Sequence, residues 1–363
     1  MSESPSPLGP FQESRERGDG AGGRVLYGAL DLGTNNCRLL IATPSGRGFR
    51  VVDAYSRIVR LGEGLSQTGR LSAPAMDRAI AALKVSAEKI RRRGVTRLKA
   101  IATQACRSAQ NGAEFIERVA AETGLRLEVI SPKEEARLSV AGCASLLDRQ
   151  MDAALVVDVG GGSTELSWVD MKAPGARFGR PLIRAWRSIP LGVVTLAELF
   201  PEDIGAPEAW FRRMVDCFRG QLAGFAPAEA LRPAFAAGRA HIIGTSGAIT
   251  SLAGLHLELP RYDRSQVDGI WMTRSECEAS AGRLIAMSME ERAAQPCIGP
   301  ERADLVLAGA AILQAVQELW TCERVRVADR GLREGLLLSM MAGRSRGRSR
   351  RSRGRSEFRE ARS

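Results

Sequence analysis

Histidine is nearly missing from this chain: its 363 residues include two, His241 and His256. A metal centre built on imidazoles is thereby excluded, and a Ser-His-Asp triad is disfavoured before any geometry is considered. Cysteine is sparse and scattered. The seven residues (37, 106, 143, 217, 277, 297 and 322) contain no CxxC pair, so neither a zinc framework nor a disulfide scaffold fits. They read as small, reduced, buried hydrophobes. Aromatic residues make up only 5%, and no stacking platform for a base announces itself. No apolar run approaches the roughly 20 residues that a bilayer-spanning helix demands. The N-terminus also lacks a basic region followed by an apolar core. These absences predict a cytoplasmic protein without membrane contact, and they leave carboxylates, hydroxyls, backbone amides and a hard metal ion to carry the chemistry.

What is present suffices for real cores. Hydrophobic residues make up 44% and charged residues 26%, at a length suited to two medium domains or one large one. The net charge of +11 is uneven: residues 344–363 hold nine Arg against Glu357 and Glu360. An anionic partner fits such a balance. The tail itself has two readings, a weak polyanion tether acting by counterion release or a solvated extension without a partner.

Ordered structure is expected to begin near Arg24. VLYGALDLGT, NNCRLLIAT and FRVVDAYSRIV read as consecutive antiparallel strands. APAMDRAIAALKVSAEKIRRRG has helical periodicity, with apolar Met76, Ile80, Leu83, Ala87 and Ile90, and stops at Gly94. Strand VTRLKAIATQA, helix AEFIERVAAETG, strand LRLEVIS and helix PKEEARLSVAGCASLL follow, the last with Pro132 in its first turn. The pattern then restarts: AALVVDVGGGSTELSWVDM is again strand, acidic Gly-rich turn and strand. Laying Asp31 on Asp158 pairs Gly33 with Gly160, Thr34 with Gly161 and Leu39 with Leu166. Two similar α/β domains facing each other are predicted. Beyond them lie a strand at AWRSIPLG, helices near 194–199 and 209–222, a strand HIIGTSG opening a helix, mostly helical sequence, and a strand RVRVAD before RGLREGLLLSMM. The expected division is a disordered segment 1–24, a first domain 25–138 rejoined by a helix near 329–343, a second domain 139–328, and a disordered Arg-rich tail 344–363.

Four motifs can carry chemistry. In Asp31-Leu-Gly-Thr-Asn-Asn, a strand ends on an acid that can hold a metal or its water, and the amides and hydroxyl of Gly33, Thr34 and Asn35 can bind phosphate. An ordinary hairpin turn is the bland alternative. In Asp158-Val-Gly160-Gly161-Gly162-Ser163-Thr164-Glu165, three glycines have no packing role in a strand but make sense where a polyanion approaches the backbone. Gly244-Thr-Ser246-Gly247 opens a helix, where free amides favour an anion, though such turns are common. Glu134 and Glu135 open another helix, ordinarily a place for dipole-favouring surface acids, but here at the junction between the two predicted domains.

Taken in order from about Val25 to Met341, ALDLGTNNCRLLIA, RLGEGL with GRLS, ATQACRSAQN, ISPKEEARLSVAG, VVDVGGGSTEL, SIPLGVVTL, IIGTSGAITSLA, ERADLVLAGAAIL and GLREGLL resemble the exopolyphosphatase / guanosine pentaphosphate phosphatase family. That family is a branch of the actin-like ATPase superfamily. The resemblance implies two ribonuclease-H-like α/β domains flanking a cleft. It implies hydrolysis of a terminal phosphoanhydride, in inorganic polyphosphate and/or guanosine pentaphosphate, with Mg²⁺ or Mn²⁺. By similarity, Glu135 is the general base, Asp158 and Glu165 place metal and water opposite it, and Asp31 joins them as a metal residue. The turns at Gly33–Asn35, Gly160–Thr164 and Gly244–Gly247 would bind phosphates, with Arg38 and Arg107 as cationic contacts. Thr34, Asn36, Gln104 and Cys106 depart mildly from the family's usual residues. Long members append an HD-type domain that needs several His, so this chain is expected to be a short, two-domain form, and a homodimer is compatible with the resemblance. Two further readings stay open: a non-catalytic sensor of alarmone or polyphosphate, and a kinase of the same superfamily, for which no substrate loop with a catalytic Asp is evident.

Overall fold

The computed structural model describes residues 25–46, 48–173, 181–222 and 224–342. The segments expected to be disordered, 1–24 and 344–363, lie outside these residues. Two mixed sheets organise the fold. The first is ordered β3-β2-β1-β4-β5, from strands Tyr27–Leu32 (β1), Asn36–Ser45 (β2), Gly48–Ile58 (β3), Arg97–Ala102 (β4) and Glu128–Val129 (β5). The second is ordered β10-β11-β9-β6-β7-β8, from Ala153–Val159 (β6), Thr164–Asp170 (β7), Leu182–Ile189 (β8), Ala240–Thr245 (β9), Trp271–Thr273 (β10) and Arg324–Ala328 (β11). Read outward from β1 and from β6, the two orders match over five strands, an antiparallel three-strand meander on one side and two parallel strands on the other, and the second sheet adds β10 at its edge. The central strands are covered on both faces, which is why their sequences are near-continuous apolar runs.

Register makes the internal repeat concrete. In the first hairpin Asp31 stands opposite Arg38, and in the second Asp158 stands opposite Glu165. The fold has thus been used twice with one charge reversed: an acid facing a base, then an acid facing an acid.

Local signals decide the helix ends. In helix Ala73–Arg93 the Ser72 side chain accepts from the Ala75 amide, and Gly94 stops it at φ 64°, where a left-handed residue closes the last turn. The buried stripe includes Ala79, Ile80, Leu83, Ala87 and Ile90. Two elements depart from the sequence reading. LRLEVIS yields only the two-residue β5, and the region read as mostly helical contains β10, an antiparallel edge strand whose three residues are too few for a period to show.

Two helices stitch the halves together. Pro132–Cys143 follows β5, and its Val140 and Cys143 pack on Ala154, Val156 and Ile243 of the second sheet. Helix 332–342 follows β11, yet its Leu336 and Leu337 pack on Tyr27, Ala29 and Leu40 of the first. They cross at backbone contact: a Cβ on Gly335 would lie 2.0 Å from the Leu138 carbonyl oxygen, and one on Gly142 would lie 1.9 Å from that of Gly331. Only glycine permits this approach. Among the described residues, no helix is long and apolar enough to cross a membrane.

Candidate active site

Residues of the two acidic turns line one cavity of about 400 Å³. Strand ends supply the acids: Asp31 from β1, Asp158 and Glu165 from the β6–β7 hairpin. Glu135 comes from the first turn of Pro132–Cys143, whose start is fixed by the Ser131 cap. All four line the cavity together with Gly33, Thr34, Asn35, Arg38, Gly160, Gly161, Ser163, Ser246 and Gly247.

Burial dominates the electrostatics. Glu135, 7% exposed, is pushed well above the ordinary carboxylate range, first by desolvation and then by the nearby Glu165, while Arg107 opposes the shift. Glu165 is pushed up to about 7 by burial and by Asp158, although the Ser188 hydroxyl donates to its Oε1 at 2.7 Å. Desolvation raises Asp31 to about 6 against the pull of Arg38 and Arg333, and it also raises Asp158. Asp31 Oδ1 and Asn35 Oδ1 are buried without a hydrogen-bond partner. Buried acids that repel one another, with unused oxygens, form a site prepared for positive charge.

Several expected phosphate contacts turn out to hold the scaffold instead. Arg107 does not line the cavity; it donates to the Ile130 carbonyl (2.7 Å), Gln104 Oε1 (2.6 Å) and Glu135 Oε2 (3.3 Å), so it orients the acid. Thr164 is fully buried and its hydroxyl donates to the Leu191 carbonyl at 2.7 Å. Gly244 lies within β9, where a Cβ would meet Ile249 at 2.8 Å. The Gly-rich turn does have a packing purpose, contrary to the sequence reading. A Cβ on Gly161 would lie 3.0 Å from the Asn35 nitrogen, one on Gly162 2.8 Å from Thr34 Oγ1, and one on Gly192 2.4 Å from the Gly160 carbonyl oxygen. The glycines let the turns of the two halves touch. Ser246, too, uses its hydroxyl oxygen to cap the helix Gly247–His256, accepting from the Ala248 and Ile249 amides at 2.9 and 3.2 Å.

Other residues of the cavity escaped the sequence reading. Glu334 is buried; it accepts from the Gly331 amide (2.9 Å) and from Arg264 (3.1 Å), which also holds the Asp329 carbonyl at 2.6 Å. Arg333 and Arg302 line the same space, as does Tyr262, whose hydroxyl donates to Asp329. A signal for the first two of these was present: GLREGLL follows strand RVRVAD much as PKEEA follows LRLEVIS, each placing acids in the first turn of a helix.

Twinned sheets with acids at the strand ends, glycine turns beneath and arginines around them define an enzyme of the actin-like ATPase fold that handles phosphate groups. The sequence matches the Ppx/GppA phosphatase family over residues 40–343, and the chain belongs to that family. Among solved structures, it is 30% identical to the Aquifex aeolicus family member, covering 89% of this chain and 99% of that one, with a TM-score of 0.71. An exopolyphosphatase from Cytophaga hutchinsonii is 25% identical, with 88% and 98% covered and a TM-score of 0.77. An exopolyphosphatase-like protein is 29% identical over 87% and 97%, with a TM-score of 0.75.

Proposed function

We propose that the protein removes the terminal phosphate of inorganic polyphosphate by attack of water assisted by Glu135. The observation that carries this reading is the convergence of Glu135, Asp158, Glu165 and Asp31 on one cavity also lined by residues of two glycine turns. Arg107 holds Glu135 Oε2 and leaves Oε1 to take the proton of the attacking water. Arg38, Arg302 and Arg333 lie on the walls where a chain of phosphates needs neutralising charge.

The donor set fits Mg²⁺. Among the described residues no three acidic, His or Cys side chains are already gathered as ligands. Mg²⁺, however, is usually held by one or two carboxylates, water and the substrate's own phosphates. Asp31, with its unpartnered oxygen, Asp158 and Glu165 are the residues that would hold it. Bound there, the ion would neutralise phosphate charge and favour the ionised acids.

Guanosine pentaphosphate ends in the same anhydride, and Tyr262 places one aromatic ring on the cavity wall. Phosphate release from both substrates, run in parallel with Mg²⁺, with chelator and with Glu135→Gln, tests the proposal. Metal-dependent release from polyphosphate that collapses in the variant is expected. Binding without turnover would make the protein a sensor.

A further inference from the structure

The motif Arg60-Leu-Gly-Glu-Gly-Leu65 has no part in the chemistry above, yet it carries an unusual backbone. Arg60 has φ +46°, a left-handed conformation in a residue with a long side chain. Such a conformation persists only where its surroundings over-determine it, and it is a pointer to function when it borders a site. Arg60 and Val59 donate their amides to the Asn35 carbonyl at 3.1 and 2.8 Å, and Gly62 donates to the Thr34 carbonyl at 2.9 Å. A Cβ on Gly62 would come within 2.2 Å of Thr34 Cγ2. The segment is therefore laid directly against the back of the turn whose residues line the cavity.

From that position the Arg60 side chain crosses to the other half of the molecule. Its Nη1 and Nη2 donate to the two Asp304 carboxylate oxygens at 2.7 and 3.0 Å, a two-pronged contact with strict directional demands. Asp304 directly precedes Leu305 and Val306, which line the cavity. A second crossing lies beside it: Glu198 accepts from the Gly64 amide at 2.8 Å and from the Ser66 hydroxyl. On its own side the segment is anchored by Arg78, which donates to the Val59 carbonyl and to Glu63.

We propose that Arg60 is a positioning residue: its clamp on Asp304 couples closure of the cleft to the placement of the Thr34–Asn35 turn against substrate phosphate. The inference rests on the phosphohydrolase reading. Both partners are a third exposed, so the pair adds little to the stability of either half. A small energy is enough to change which arrangement of two halves prevails, and the apparent affinity for substrate scales with the fraction of molecules that are closed.

Charge reversal tests this. Arg60→Asp suits the left-handed backbone, since Asp tolerates it better than Arg. It should raise KM for polyphosphate about two- to threefold, the most that losing one partly exposed ion pair can do while about half of the wild-type molecules are closed, with kcat changed less than twofold. Asp304→Arg should do the same, and the double variant should recover most of the loss. Arg60→Gly, which relieves the backbone, should keep its melting temperature and still show the raised KM. Small-angle scattering without substrate should show both single variants expanded and the double variant compact again. That readout stands even if the wild type releases no phosphate, in which case the function proposed above fails and the clamp does not. Unchanged KM and scattering in the single variants, or a double variant as impaired as either, would overturn the clamp.

Discussion

Gly335→Ala is a one-carbon change whose consequence can be followed from the helix crossing to the chemistry. The added Cβ would lie 2.0 Å from the Leu138 carbonyl oxygen, 2.7 Å from its carbon and 3.1 Å from Cα. Real Cβ atoms essentially never approach within 3.0 Å, so the two helices must part by about 1 Å. Overpacking of this kind costs roughly 1–3 kcal/mol, partly offset by the ~1 kcal/mol that alanine gains over glycine within a helix. Stability should therefore fall by no more than about 2 kcal/mol. Activity should fall much further. Leu138 is one turn beyond Glu135, and Gly335 adjoins Glu334, so the shift is delivered to two acids of the cavity. A displacement near 1 Å can cost about a hundredfold in rate. Thermal unfolding with phosphate release would measure both. Gly282→Ala is the control: it lies in helix Arg274–Ile285 with nothing within 4 Å of its added carbon, and should gain about 1 kcal/mol without touching activity. A Gly335→Ala protein with wild-type rate and stability would refute the claim that this crossing sets the geometry of Glu135.

Three further outcomes follow from the site. At sub-saturating Mg²⁺, activity should rise with pH through about 6 to 7, because Asp31 and Glu165 must lose protons that burial makes them keep before they can hold the ion, and saturating Mg²⁺ should move the rise to lower pH; a flat profile from pH 5 to 8 at low Mg²⁺ would contradict this. The metal-free protein should in turn lose stability as pH rises from about 4 to about 7: there the folded state holds protons that the unfolded chain has already released, and melting curves in chelator would show the sign. Thr164→Val should lower stability by about 1–3 kcal/mol by stranding the buried Leu191 carbonyl, whereas Ser163→Ala, at a cavity-lining hydroxyl, should act on KM with little change in melting temperature.

Much of the fold was legible in the chain because it rests on local patterns. Apolar runs ending in Asp-x-Gly, the helical stripe from Met76 to Ile90 and the Ser131-Pro132 start each fix their element over a few residues. The internal repeat was legible for the same reason, since a hairpin of fixed length keeps its register wherever it occurs. Strand β10 was not, because pairing with β11 rather than any periodicity makes Trp271–Thr273 a strand. Arg107 carried a charge that suggested phosphate, and nothing in the sequence could show that Ile130, Gln104 and Glu135 would take up its donors. Gly161 and Gly162 were readable as places where a polyanion approaches the backbone, not as room for Asn35 and Thr34 of the facing turn.

The sequence by itself determined the twinned strands, the acids at their ends and the family to which the chain belongs. Only the tertiary structure decided which side chains meet. Asp31 and Glu334, some 300 residues apart, share one cavity because two helices cross at glycines, and Asp31 resists ionisation because the folded chain buries its carboxylate. Contacts between distant segments and the desolvation they impose are properties of packing, and no short stretch of sequence records them.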